Sequence, residues 1–387
     1  MKSDCLKKIV HIISNLSIGG AQLLLYDILK NIESEYQIYI VTIDSGHYIE
    51  KFRTHGFNVI DIKCKGLINP LIYFKLKKII KKIKPDVVHT HLLKADFYGR
   101  LAAKNLKVPL IISTCHNDST IHKVSRNTRK NIFDHIDNWI IDFTNSYIVA
   151  ISEKVKEYLI ERKNGSIASR IKVIYNGIDV SKEKFLLNRD EIVSFKNSMH
   201  LKEDDIVIVI VGRLEEQKGH LDFLRSVIPL IKKYNLKILI LGEGSKRVKI
   251  ENFIGNEKLD KNIFLYGFID ETQKYFEISD ICVIPSIWEG FGIVACEAML
   301  KGKIVLASNV GGLKEIIDDG IDGYLYSLGN EKELNEKLEC IILNYQNLKS
   351  VGLAAISKVK DKFNIETNAK EYFELYKEKL KFLRKSE

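Results

Sequence analysis

The chain has 387 residues, 45% hydrophobic and 28% charged, with only 5 prolines. That is the composition of a globular protein of two large domains, and it excludes disordered, fibrous and Pro-rich classes. Lys and Arg outnumber Asp and Glu by 60 to 50, and the excess is lopsided: residues 1–185 carry net +12 and residues 186–387 net −2. An acidic partner is therefore expected at the first half alone, whether anionic lipid, nucleic acid or a phosphorylated substrate.

Short apolar runs alternate with amphipathic stretches from the start. In the first half, strands are predicted at Lys8–Ile13, Tyr36–Ile43, Val59–Ile62, Val87–Thr90, Leu110–Ser113, Tyr147–Ile151 and Lys172–Ile174. Helices are predicted at Ala21–Asn31, Leu71–Ile83, Lys94–Asn105 and Ser152–Lys163. The second half repeats the alternation, with strands at Ile206–Val211, Lys237–Leu241, Ile263–Tyr266, Ile281–Ile284 and Ile304–Ala307. Its helices are expected at His220–Tyr234, Lys246–Gly255, Glu271–Ile278, Gly292–Leu300 and Leu313–Asp318. Strands apolar on both faces, alternating with helices, mean α/β architecture with parallel sheets covered on both sides. Two doubly wound, Rossmann-like domains are expected, 1–185 and 186–364, with the boundary in the polar segment Asn176–Asp205. A long amphipathic helix, 365–387, has no sheet of its own and is expected to return to the N-terminal domain. Ligands of open α/β sheets bind at the carboxyl ends of strands, so the cleft between two such domains is the default site.

No stretch approaches the ~18 consecutive apolar residues of a membrane span. The run Ile9–Ile13 is broken by His11 and is too short for a signal-peptide core, so a cytoplasmic protein is expected. The six cysteines, at 5, 64, 115, 282, 296 and 340, have no metal-ligand spacing and read as small hydrophobes or near-surface thiols.

Three loops carry chemistry. Ser14–Gln22 holds Gly19-Gly20 at a strand-to-helix turn, where a ligand can approach the backbone and a helix N-terminus. Neither it nor Gly242-Glu243-Gly244 completes the G-x-G-x-x-G fingerprint, and no Walker A sequence occurs, so dehydrogenases and P-loop enzymes drop out. Val211–Gly219 places Arg213 and Lys218 at a strand end before a helix. A planar fork and a point charge together suit a diphosphate. Pro285–Met299 runs from a strand through a glycine turn into a helix. Glu289 lies in the turn and Glu297 within the helix, and the amides near Phe291–Val294 form an anion-binding terminus. Glu297 in an apolar helix needs partners, and vicinal ribose hydroxyls would supply two donors.

Together these loops resemble family 4 of the retaining glycosyltransferases, which have the two-domain GT-B fold. The resemblance spans nearly the whole chain. It rests on Gly19-Gly20-Ala21-Gln22, His89-Thr90-His91, Ser113-Thr114-Cys115-His116, Ile174–Asp179, Gly212-Arg213 with Lys218-Gly219, Glu289-x7-Glu297, and Gly311–Glu315 with Gly320 and Gly323. The family often has an acidic residue where this chain has Gln22. The resemblance implies that Arg213 and Lys218 hold a donor diphosphate and that Glu297 binds the ribose. It implies that Glu289 and the amides of Phe291, Gly292 and Ile293 meet the transferred sugar and phosphate, and that backbone near Gly267 and Phe268 meets the base. Gly20 joins the donor set and His116 faces the sugar from the other domain; His116 and Glu289 are the catalytic candidates. The implied activity is metal-independent transfer, with retention, of a hexose or N-acetylhexosamine from a UDP-linked sugar to a lipid-linked or cell-surface glycan. No cofactor is implied. A sugar-nucleotide epimerase of the same fold and an idle partner subunit of a transferase are the alternatives.

No D-x-D pair occurs, so no divalent metal is expected on the diphosphate. The i, i+2 pair His89 and His91 reads as core or acceptor lining. Lys75–Lys84 sets Leu76, Ile79, Ile80 and Ile83 on one helical face among six lysines. Such a helix packs its stripe on the sheet and offers its lysines to an anionic membrane surface. Nucleic acid is not expected, because the basic half lacks a recognition signature.

Overall fold

The computed structural model describes residues 6–31, 36–66, 68–116, 128–184 and 187–385. The chain divides into two units: residues 1–177 with 365–387, and residues 178–364. The division falls at Gly177, ahead of the 185/186 boundary drawn from the sequence, and the last helix groups with the first unit.

In the first unit, β1 (Lys7–Asn15), α1 (Gly20–Lys30), β2 (Tyr36–Asp44), α2 (Ile49–Thr54), β3 (Asn58–Asp61) and α3 (Pro70–Ile83) come first. They are followed by β4 (Val87–His91), α4 (Leu93–Asn105), β5 (Leu110–Cys115), α5 (Thr128–Thr144), β6 (Tyr147–Ala150), α6 (Glu153–Arg162) and β7 (Ile171–Val173). The second unit opens with α7 (Arg189–Ser198), β8 (Val207–Val211), α8 (His220–Tyr234), β9 (Lys237–Leu241), α9 (Arg247–Asn256), β10 (Ile263–Gly267) and α10 (Gln273–Ile278). It continues through β11 (Ile281–Ile284), α11 (Ile293–Leu300), β12 (Ile304–Ser308), α12 (Leu313–Ile316), β13 (Tyr324–Tyr326), α13 (Glu331–Asn344) and α14 (Lys349–Lys362). The last helix, α15 (Ile365–Lys385), belongs to the first unit.

The first sheet is ordered β3-β2-β1-β4-β5-β6-β7 and the second β10-β9-β8-β11-β12-β13. Every strand pairing is parallel. Strand order reverses between β1 and β4 in the first sheet and between β8 and β11 in the second, so each sheet opens a crevice at those carboxyl ends.

Alternate residues of β1 serve opposite faces. Ile9 and Ile13 pack with α1 and α15, while Val10 and Ile12 pack with α3 and α4. Helix α3 shows how local sequence fixes an element. Asn69 caps it by accepting the Leu71 amide at 3.1 Å, Pro70 fits the first turn, and Lys84 closes it in the left-handed region. Ile72, Leu76, Ile80 and Ile83 are its buried stripe, and Ile79 packs at the edge.

Candidate functional site

Most of the sequence-predicted residues meet at the carboxyl edge of the second sheet. Strand β8 ends at Val211, and the next loop carries exposed Arg213 and a short helical turn to Lys218. Gly219 then adopts φ +65°, where a Cβ would lie 2.0 Å from the Pro285 carbonyl oxygen. Only glycine lets the loop after β8 touch the loop after β11 so closely. The Ile287 amide donates to the Gln217 carbonyl at 2.8 Å, and the Gln217 side-chain amide donates to the Trp288 carbonyl at 3.2 Å. Those bonds bring Lys218 to Glu289, Nζ to Oε2 2.6 Å, with the side chains 19% and 14% exposed. Ser286 Oγ also donates to Glu289 Oε2, at 3.1 Å. The family resemblance implies phosphate for Lys218 and sugar for Glu289. The structure adds that they pair with each other, so a ligand oxygen reaching Lys218 competes with a carboxylate.

Glu289 itself is fixed from behind. Gly311, at φ +47°, would place a Cβ 1.9 Å from the Glu289 carbonyl oxygen, and the Gly312 amide donates to that oxygen at 3.0 Å. Gly292, at φ +108°, precedes α11. Phe291 is buried against Phe363, ring centroids 5.4 Å apart, so its side chain is core and only its backbone faces the turn. Ile293 begins the helix, and Glu297 follows one turn later, half-buried. Burial, with the Glu297 charge second, pushes the Cys282 and Cys296 thiols above their usual range, which places that carboxylate beside both. Gly267 ends β10 at φ +73°, its carbonyl accepting the Gly242 amide at 2.7 Å, and Phe268 beyond it is 38% exposed.

His220, at the start of α8, was not foreseen as a site residue. It is buried, neither ring nitrogen has a hydrogen-bond partner, and burial with the Lys218 charge lowers its pKa to about 4. Its position directly after the Lys218-Gly219 pair is the signal that sequence reading had for it.

Gly20 and His116 lie in the first unit. Gly20 is exposed at the start of α1, after β1. Gln22 donates to Asn15 Oδ1 at 3.0 Å and ties the turn shut. His116 follows β5. Its Nε2 lies 3.4 Å from His91 Nδ1, and His91 Nε2 lies 3.1 Å from His11 Nδ1. His11 Nε2 has no partner. His89 is held separately, by Tyr376 Oη at 2.6 Å and Thr114 Oγ1 at 2.7 Å. The pair read as core or acceptor lining is thus buried in the sheet beneath α15. Burial lowers the pKa of His11 to about 3 and of His116 to about 4, and holds His89 and His91 well below the usual range, with neighbouring histidines adding to it.

Nitrogens of His11, His89 and His91 lie within 4.8 Å of one another. Three such imidazoles suggest a metal, but the geometry fits one poorly. Both nitrogens of His89 are engaged, and the His89 and His91 rings stack at 4.3 Å instead of converging. The cluster is a neutral, hydrogen-bonded one.

Two glycine-lined α/β crevices, one carrying a Lys–Glu pair and one a histidine chain, match a single family across both units. The description "Glycosyltransferase Family 4" matches residues 18–182, and "Glycosyl transferases group 1" matches residues 193–357. An uncharacterized glycosyltransferase of Methanocaldococcus jannaschii is 30% identical over 341 residues, 87% of this chain and 88% of that one. The chain belongs to glycosyltransferase family 4. As a glycosyltransferase it is an enzyme of the GT-B type. Another relative is the Escherichia coli UDP-Gal:alpha-D-GlcNAc-diphosphoundecaprenol alpha-1,3-galactosyltransferase, 27% identical over 66% of each chain. Among solved structures, Anabaena HepE in complex with UDP-glucose superposes with a TM-score of 0.85 at 20% identity, over 96% of this chain and 99% of that one.

Proposed function

We propose that this glycosyltransferase moves a hexose or N-acetylhexosamine from a UDP-sugar, with retention and without a metal, to a lipid-linked or cell-surface glycan. The observation that carries the reading is the Lys218–Glu289 pair at the β8–β11 crevice, with exposed Arg213 on the same loop. Negative charge grows on the leaving β-phosphate as the glycosidic bond breaks. Arg213, Lys218 and the α11 amides supply preformed positive potential for it, which lowers the transition state more than the ground state. The leaving phosphate takes the acceptor's proton. Glu297 receives the ribose hydroxyls. His116, neutral at working pH, offers a hydrogen bond to the sugar and not a charge. HepE with UDP-glucose supports the donor, and the E. coli relative's named lipid-diphosphate substrate supports the acceptor.

The test is a panel of UDP-hexoses and UDP-N-acetylhexosamines, with the released sugar detected by mass spectrometry in EDTA. One donor is expected to be hydrolysed slowly without acceptor and at an undiminished rate in chelator. No turnover and no UDP binding, or full dependence on added Mg²⁺ or Mn²⁺, would overturn it.

Membrane contact belongs to the same reading. No helix among the described residues is long and apolar enough to cross a bilayer. An anionic surface would instead be met by α3, whose Lys75, Lys78, Lys81, Lys82 and Lys84 are exposed. Each lysine near such a surface contributes roughly 1 kcal/mol, and salt screens it. Replacing Lys77, Lys78, Lys81 and Lys82 with Gln is expected to reduce pelleting with anionic vesicles at low salt and to leave UDP-sugar hydrolysis unchanged. An unchanged pelleted fraction would return α3 to a solvated helix.

A further inference from the structure

Three imidazoles run from the middle of the first sheet to its carboxyl edge. His11 lies within β1, His91 is the last residue of β4, and His116 is the first residue beyond β5. The parallel registers set Ile13 opposite His91, and His91 opposite Thr114. Each ring therefore stands two residues nearer that edge than the one before. The rings are joined through their nitrogens, His11 Nδ1 to His91 Nε2 at 3.1 Å and His91 Nδ1 to His116 Nε2 at 3.4 Å. No carboxylate takes part in either link, and burial lowers the pKa of every ring. All three are therefore neutral, with one protonated and one bare nitrogen each.

Only two arrangements leave both links bonded. Either every ring carries its proton on Nδ1, or every ring carries it on Nε2. They differ at the ends of the chain. His11 Nε2 is buried without a partner. Protonation at Nε2 would make it an orphaned N–H, and protonation at Nδ1 leaves it a bare lone pair. Orphaned N–H groups are the rarer defect in protein interiors, which favours Nδ1 throughout. At the other end His116 is half-buried, and no group among the described residues bonds its Nδ1. The same arrangement thus leaves an N–H at the sheet edge, available to a ligand. That tautomer is the minor one of a free imidazole side chain, so something must hold it.

We propose that His91, itself bonded to His11, is a positioning residue that holds His116 in the Nδ1–H tautomer, so that a hydrogen-bond donor meets the transferred sugar. The proposal rests on the reading that His116 meets the donor sugar. A bare Nδ1 in the same place would turn a lone pair towards the sugar oxygens. With the donor already set, no proton has to move between ring nitrogens as the sugar arrives.

Protein labelled with nitrogen-15 histidine reports each tautomer directly, because protonated and bare imidazole nitrogens resonate far apart. His11→Phe, His91→Leu and His116→Ala each remove one ring and so assign the signals. Wild type at neutral pH is expected to show His11, His91 and His116 protonated at Nδ1. In His91→Leu, His116 loses the donor to its Nε2. Water then reaches the half-buried ring, and the Nε2–H form becomes the major one. UDP-sugar hydrolysis by this variant is expected to fall roughly three- to tenfold, in proportion to the fraction of rings left in the competent tautomer. His116→Ala is expected to lose at least as much. His91→Leu/His116→Ala is expected to lose no more than His116→Ala, since His91 acts through His116.

A wild-type His116 protonated at Nε2 would overturn the proposal, and that measurement needs no variant to fold. So would an unchanged His116 tautomer in His91→Leu, or losses that add in the double variant, which would make His91 a packing residue. A failure of the transfer reading shows elsewhere, as absent UDP-sugar turnover in wild type with the three Nδ1–H tautomers in place.

Discussion

Lys218→Ala is expected to slow UDP-sugar hydrolysis by about a hundredfold, the order seen when one preorganised transition-state donor is removed. The ion pair with Glu289 makes the single variant ambiguous, because it both removes a cation and leaves a half-buried carboxylate with Ser286 alone. Glu289→Gln in the same background separates the two effects. If Lys218 serves only to neutralise Glu289, the double variant is no slower than Glu289→Gln alone, since the amide has no charge to offset. If Lys218 stabilises the leaving diphosphate, the double variant is markedly slower than Glu289→Gln alone. UDP affinity measured alongside provides a second reading: a phosphate contact shared by ground and transition states weakens UDP binding in both variants. A double variant as fast as Glu289→Gln alone, with UDP affinity at wild-type level throughout, would remove Lys218 from the diphosphate.

The grouping of glycines and charged residues at the β8–β11 edge was legible in the sequence because much of it is local. Gly219 and Gly292 sit at positive φ close in the chain to Lys218 and Glu289, whereas Gly311 reaches the Glu289 carbonyl from the loop after β12. The strands were legible for a similar reason, since a strand buried on both faces is a continuous apolar run. The Lys218–Glu289 pair was not legible, because its members are 71 residues apart and meet only through the β8–β11 adjacency. The histidine cluster is a stronger case. His11 sits on β1 and His89 and His91 on β4, and the parallel register sets His11 opposite His89, while Tyr376 arrives from α15, 287 residues away. Nothing near His11 in the chain announces this. Helix α7 was missed for another reason. Its segment is polar and reads as a linker, yet Asn188 and Glu191 form a reciprocal capping box, with bonds of 2.9 and 2.8 Å. That spacing was present in the sequence and outweighs composition as a helix signal.

Mild acid is expected to unfold this protein more readily than neutral conditions, and the histidines set the window. His11, His89, His91, His116 and His220 all have folded-state pKa values below the unfolded value of 6.5, with burial as the first cause in each. Between 6.5 and about 4 the unfolded chain binds protons that the folded chain refuses. Stability therefore falls as pH drops through that range, by up to about 1.4 kcal/mol per pH unit for each histidine. His11, His89 and His91 form one stacked cluster, in which a first imidazolium would also repel the neighbouring rings. Urea midpoints at pH 7.5, 6.5, 5.5 and 5.0 measure the slope. His11→Phe tests its source: one titrating ring is lost, together with a buried nitrogen that has no partner, so the slope should decrease by about one histidine's share. A midpoint that stays constant from pH 7.5 to 5.0, or a His11→Phe slope equal to that of wild type, would mean that the cluster takes up protons in the folded chain as readily as in the unfolded one.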